Sequence, residues 1–178
     1  MNYQERSEEA RNEYEQEISE VPVSQRIFID ESGISQFYNR EYARALRGKR
    51  VHGFIPGRKF ARINVVAGYC DGRVIGEYCF TGTATAEKFE TWFCGFMLPE
   101  THEGDVIIMD NARLHNKKRL RKYAEVYKVS IIFLPPYSPD YNPIEHVWAN
   151  MKRFLRNTTL HFQTIQSAIY WYFALGYS

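Results

Sequence analysis

Three short apolar runs, RIFID (26–30), DVIIMD (105–110) and SIIFL (130–134), constrain this chain more than any other feature. Each is too brief for a helix, rich in β-branched residues and bounded by turn formers, so each reads as a buried strand. Between the second and third runs, Asn116 can cap a helix whose Leu120, Tyr123, Ala124 and Tyr127 fall at inward-facing spacing. Strand, helix, strand is the unit that builds parallel pairs. A hairpin comes earlier: FARINVVAGY (60–69) and RVIGEYCF (73–80) flank Asp71-Gly72, a strong turn signal, which makes Asp71 a turn residue. From Thr85 to Leu98, Phe89, Trp92, Phe93, Phe96 and Met97 predict a core-facing helix stopped by Pro99. Asn142 and Pro143 open another, with Ile144, Val147, Trp148, Met151 and Leu155 as its apolar stripe. A last helix over about 161–175 carries Phe162, Ile165, Ile169 and Phe173 on one side. The pattern predicts an α/β fold, a mixed sheet with helices packed on it, and leaves the strand order open.

Charge divides the chain unevenly. Residues 1–25 hold seven Glu against Arg6 and Arg11, a net of −5, whereas the rest carries +7. The acidic head reads as a linker or exposed helix (1–25) ahead of a basic body (26–158), with the last helix (159–178) packed on it. Apolar runs such as Ile169 to Leu175 are too short to span a bilayer, so no membrane association is expected. The polar start shows no secretory signal. Cys70, Cys79 and Cys94 are odd in number without a Cys-x-x-Cys spacing, which argues against a zinc site and for a reducing, cytoplasmic setting.

Three acids stand out by position. Asp30 ends the first buried strand, Asp110 ends the second, and Glu145 lies in the first turn of the helix after the third. The 34 residues between Asp110 and Glu145 suffice for one helix and one strand to return the chain to the same sheet end, where ligand sites collect. Carboxylates gathered there suit Mg²⁺ or Mn²⁺, hard cations that take oxygen ligands. Two such ions about 4 Å apart serve in-line attack on phosphorus. Each acid also has a plainer reading: Asp30 and Asp110 could bond loop amides, and Glu145 could complete a capping box with Asn142.

FIDES (28–32), IIMDNARLHN (107–116) and PPYSPDYNPIEHVW (135–148) resemble the motif blocks of mariner-related DDE transposases, particularly their bacterial insertion-sequence branch. The resemblance spans roughly residues 26–157. It implies a ribonuclease-H-like fold with helices on both faces, and Asp30, Asp110 and Glu145 as catalytic residues holding two ions. Asp140 is the loop aspartate before the catalytic position. The implied activity is DNA cleavage at transposon ends followed by strand transfer into target DNA, commonly at TA, by a dimer. Helix-turn-helix modules that recognise transposon ends in that family have no match here, so end recognition is expected from a separate module and action on the nucleoid. A ribonuclease-H-like endonuclease without transposition, or a transposase-derived DNA-binding module without catalysis, are the alternatives.

Other positions complete the expectation. Residues 40–62 are densely basic, and Arg44, Arg47, Lys49, Arg50, Arg58 and Lys59 read as a DNA-contacting arm or a solvated loop. Lys152 and Arg156 share a helical row with Glu145 and could follow a DNA backbone or merely solubilise the helix. Asn111, His115 and His146 adjoin the acids and could support them, although a lone His is more often structural. Trp148 reads as core.

Overall fold

All three apolar runs lie in the middle or at one side of a single five-stranded sheet. The computed structural model describes residues 7–35, 47–48, 62–112, 115–158 and 161–176. Strands β1 (Arg26–Ser35), β2 (Arg62–Cys70), β3 (Arg73–Thr81), β4 (Val106–Met109) and β5 (Ser130–Phe133) stand in the order β3-β2-β1-β4-β5. The first three are antiparallel neighbours, while β1, β4 and β5 run parallel. At the β2–β3 turn Asp71 (φ 46°) and Gly72 (φ 81°) are both left-handed, the geometry that a two-residue hairpin of this hand requires.

Alternation along β1 assigns the two faces. Ile27 and Ile29 pack with Phe89, Trp92, Leu120 and Ala124 from helices α2 (Ala86–Trp92) and α3 (Lys117–Val126). On the other face, Phe28 joins Tyr14 of α1 (Glu8–Ser19), and Ile34 joins α4 (Ile144–Thr158) and α5 (Ile165–Ala174). Helices therefore cover both faces, as expected. The five stripe residues of α4 are all buried. At about 1.5–3 kcal/mol each, they contribute roughly 10 kcal/mol against about 1 kcal/mol for a helix cap. The stripe therefore decides how α4 lies, and Glu145 is carried to its exposed side.

Four local expectations change. The acidic head is a helix docked on the sheet, because Tyr14 and Arg11 are buried rather than solvated. β1 does not end at Asp30, since its antiparallel pairing with β2 continues to Ser35. After Trp92 the helix widens into a π-helical turn over Phe93–Met97, which shifts the phase and leaves Phe96 44% exposed against Tyr78. Tyr127 caps α3 and is exposed, with the next residue Lys128 left-handed and Val129 buried in its place. No described helix is long and apolar enough to cross a membrane.

Candidate active site

Parallel pairing between β1 and β4 stops at Phe28 and Ile108. Asp30 and Asp110 each stand two residues beyond that last pair, so neighbouring strands, about 4.8 Å apart, bring both acids out at one sheet end. Glu145 arrives from the first turn of α4. All three line one cleft of about 420 Å³, together with Asn111 and Asn142.

Each acid has a distinct environment. Asp30 is mostly buried, and burial pushes its carboxyl up to about 7; the charges of Glu145 and Asp110 push the same way. Opposing them, Trp148 donates its indole N–H to Asp30 Oδ2 at 2.9 Å. Asp110 is held below the usual carboxylate range, first by the hydrogen bond from His115, whose Nε2 lies 3.2 Å from Oδ1. The Ala112 amide donates to the same oxygen at 3.2 Å. His115 is edge-on to Phe89, with ring centroids 4.1 Å apart. Among the described residues its Nδ1 is buried without a partner.

Glu145 does not complete a capping box. The amide it would bind, that of Asn142, already donates to the Pro139 carbonyl at 3.0 Å, because a 3-10 turn over Pro139–Tyr141 precedes the helix. Asn142 accepts the Glu145 amide through its backbone carbonyl, so its side chain does not act as the cap expected of it. Its Oδ1 is buried with no partner among the described residues. Asp140, the rival acid, is bound to Arg11 and is absent from the cleft lining.

The remaining candidates fall as follows. Asn111 is exposed on the cleft wall, and His146 is exposed beside Glu145. Lys152 is half-buried and Arg156 exposed on α4. Arg47 is exposed, whereas Arg44, Lys49, Arg50, Arg58 and Lys59 lie outside the described residues. Two site residues escaped the sequence reading. Trp148 is core, but a buried indole N–H needs an acceptor, and that need was the available signal. Glu31 sits with His115 and Phe89 in a smaller cleft of about 110 Å³ that also reaches Asp30 and Asp110. Burial raises its carboxyl, with Asp110 adding to the effect and His115 opposing it.

The donor set suits a hard divalent cation. Its acids are oxygen ligands, one of them destabilised by its neighbours' charge, and an orphaned amide oxygen adjoins them. As the side chains stand, no three His, Cys, Asp or Glu among the described residues are close enough to hold one ion.

Comparison with known proteins places this geometry. The family model described as DDE superfamily endonuclease matches residues 25–167. The Tc1 transposase of Caenorhabditis elegans is 34% identical over 67 residues, covering 38% of this chain and 24% of that protein. The Tc3 transposase of the same organism is 33% identical over 58 residues, 33% of this chain and 18% of that protein. The Mos1 transposase paired-end complex with left transposon end superposes with a TM-score of 0.70 at 18% identity, over 96% of this chain and 54% of that one. The catalytic core of BIV integrase gives 0.51 at 14% identity, over 86% and 81%. The chain thus spans about a quarter or less of the curated relatives it matches and about half of Mos1. These structural likenesses make the fold ribonuclease-H-like. Because the family model runs from the start of β1 into α5 and takes in all three acids of the cleft, the chain belongs to the DDE superfamily endonucleases.

Proposed function

We propose that the chain is the catalytic part of a transposase, cutting DNA at transposon ends and joining the freed end to target DNA. The observation that carries this reading is the convergence of Asp30, Asp110 and Glu145, from β1, the end of β4 and α4, on one cleft. Asp30, Asp110 and Glu145 would hold two Mg²⁺ or Mn²⁺ ions. Divalent ions bound there would activate the attacking hydroxyl and stabilise the charge that develops on the oxygen leaving phosphorus. His115 keeps Asp110 anionic, and Trp148 orients Asp30 for the same task. The Mos1 structures that this chain resembles are paired-end complexes with a transposon end, with Mn and with Mg, which supports transposon-end DNA, a second copy of the chain and a divalent ion as partners. TA-type targets and a separate end-recognising module belong to the same proposal.

Nicking of supercoiled plasmid in Mn²⁺ tests it. The wild-type chain is expected to nick and to join a pre-cut end. Asp110→Asn, isosteric at an exposed position, is expected to stay folded and do neither. Full activity in that variant would sink the site assignment, while cleavage without joining would leave a plain endonuclease.

The basic arm makes a separate expectation. Replacing Arg44, Arg47 and Arg50 with Ala should weaken DNA binding and flatten its salt dependence. Each lost phosphate contact lowers the log–log slope by about 0.9. An unchanged slope in filter binding would make the arm a solvated loop.

A further inference from the structure

The cleft wall that leads to Glu145 is secured from the far end of the chain. Within residues 135–143 the amides of Tyr141 and Asn142 donate to the nearby carbonyls of Ser138 and Pro139. Tyr137 is left-handed at φ 55°, a conformation that a bulky residue keeps only when its surroundings impose it. The residues that follow Tyr137 are held from α1. Arg11, 9% exposed, donates from Nη1 to Ser138 Oγ at 2.9 Å and to Asp140 Oδ1 at 3.2 Å. Its Nη2 donates to Asp140 Oδ2 at 2.7 Å. The guanidinium also lies 4.0 Å over the Tyr141 ring, which packs against Tyr14 at 4.9 Å and whose hydroxyl donates to Glu15.

A two-pronged guanidinium–carboxylate bond fixes angle as well as distance. Here it fixes a loop whose next residues are cleft-lining Asn142 and Glu145. We propose that Arg11 is a positioning residue of the active site, and that α1 is a strap holding the acid-presenting loop in register. Arg11 bonds Ser138 of the cleft wall but does not itself line the cleft, and its recorded hydrogen bonds go to none of the three cleft acids. Its effect therefore falls on the chemical step and not on the hold on DNA. An ordinary surface staple would instead change only the melting temperature.

The inference rests on the proposed nuclease function, and one experiment separates the two. The full chain is compared with Arg11→Gln, Arg11→Lys, Asp140→Asn and the Arg11→Gln/Asp140→Asn double variant, well below every melting midpoint. The nicking rate at saturating Mn²⁺ and DNA should fall about tenfold or more in Arg11→Gln and Asp140→Asn, with DNA affinity unchanged. The double variant should be no worse than the worse single, since both break one interaction. Arg11→Lys should recover only part, having charge without the fork. Asp140 is half-exposed, so Asp140→Asn carries the test should Arg11→Gln fail to fold. Wild-type rates in the folded single variants would overturn the strap while leaving the nuclease in place. A wild-type chain that does not nick would overturn the function, and the strap with it.

Discussion

Glu145→Gln is expected to leave a chain that folds and melts close to the wild type yet scarcely nicks DNA. The stability half follows from the helix start. Glu145 makes no capping bond to the Asn142 amide, which is already taken by Pro139. Gln keeps the length and helix propensity, so only the carboxylate's attraction to the helix N-terminus is lost, about 0.3–1 kcal/mol. Relief of repulsion on Asp30 works in the opposite direction. The activity half follows from the proposed role. A neutral amide replaces a hard anionic ligand, and the loss should exceed the roughly 10–100-fold typical of removing a group that merely supports a ligand. Melts with and without Mn²⁺, set beside nicking and strand-transfer rates, read both halves. Near-wild-type rates in a folded Glu145→Gln chain would remove Glu145 from the triad.

Without metal, the chain should lose stability as the pH climbs toward neutrality. The Asp30 carboxyl sits at about 7 in the folded chain against an ordinary value of 3.8. An acid whose folded value is the higher one binds its proton more tightly when folded. Its contribution is therefore fully present below the ordinary value and is lost as pH rises through the folded one. The span corresponds to at most on the order of 4 kcal/mol. For a chain of this size that is roughly a 10 °C fall in melting midpoint between pH 4 and 8. Glu31, also raised, adds in the same direction. Asp110 is lowered, so its contribution is lost only on acidification below the ordinary carboxylate range. Mn²⁺ at pH 8 should restore the midpoint by binding the ionised acids. Asp30→Asn should flatten the profile and raise the metal-free midpoint at pH 8. A midpoint independent of pH between 5 and 8 in the metal-free wild type would contradict the buried, crowded state of Asp30.

What the sequence disclosed follows the reach of its signals. Buried strands and the helices between them are legible because periodicity is local: DVIIMD, Asn116 and SIIFL announce strand, cap and strand within thirty residues. The convergence of the acids was legible because Asp30 and Asp110 end apolar runs and Glu145 opens a helix. Strand order was not, since nothing local tells RIFID that its partners lie at 62–70 on one side and 106–109 on the other. The extension of β1 past Asp30 was hidden for the same reason, because Ser32-Gly33 reads as a break until β2 pairs with it. Arg11 was the hardest to see. An arginine in a head of seven glutamates and two arginines looks solvated, and the carboxylate it binds lies 129 residues away. Phe96 was misread for a different reason: a π-helical turn changes the period on which the reading depended.

The indole of Trp148 connects the α4 core directly to Asp30. Its two fellow tryptophans are placed otherwise: Trp92 donates to the Gly76 carbonyl on the opposite face, and Trp171 is half-exposed near the chain's end. Among the described residues, Trp148 is the one tryptophan seen to donate to an ionising carboxylate. The protein therefore holds a built-in optical probe beside its acidic cleft. Trp148 emission is expected to follow the charge on Asp30, with Trp92 and Trp171 as internal references, so that a pH titration of fluorescence should read cleft ionisation in an unlabelled chain.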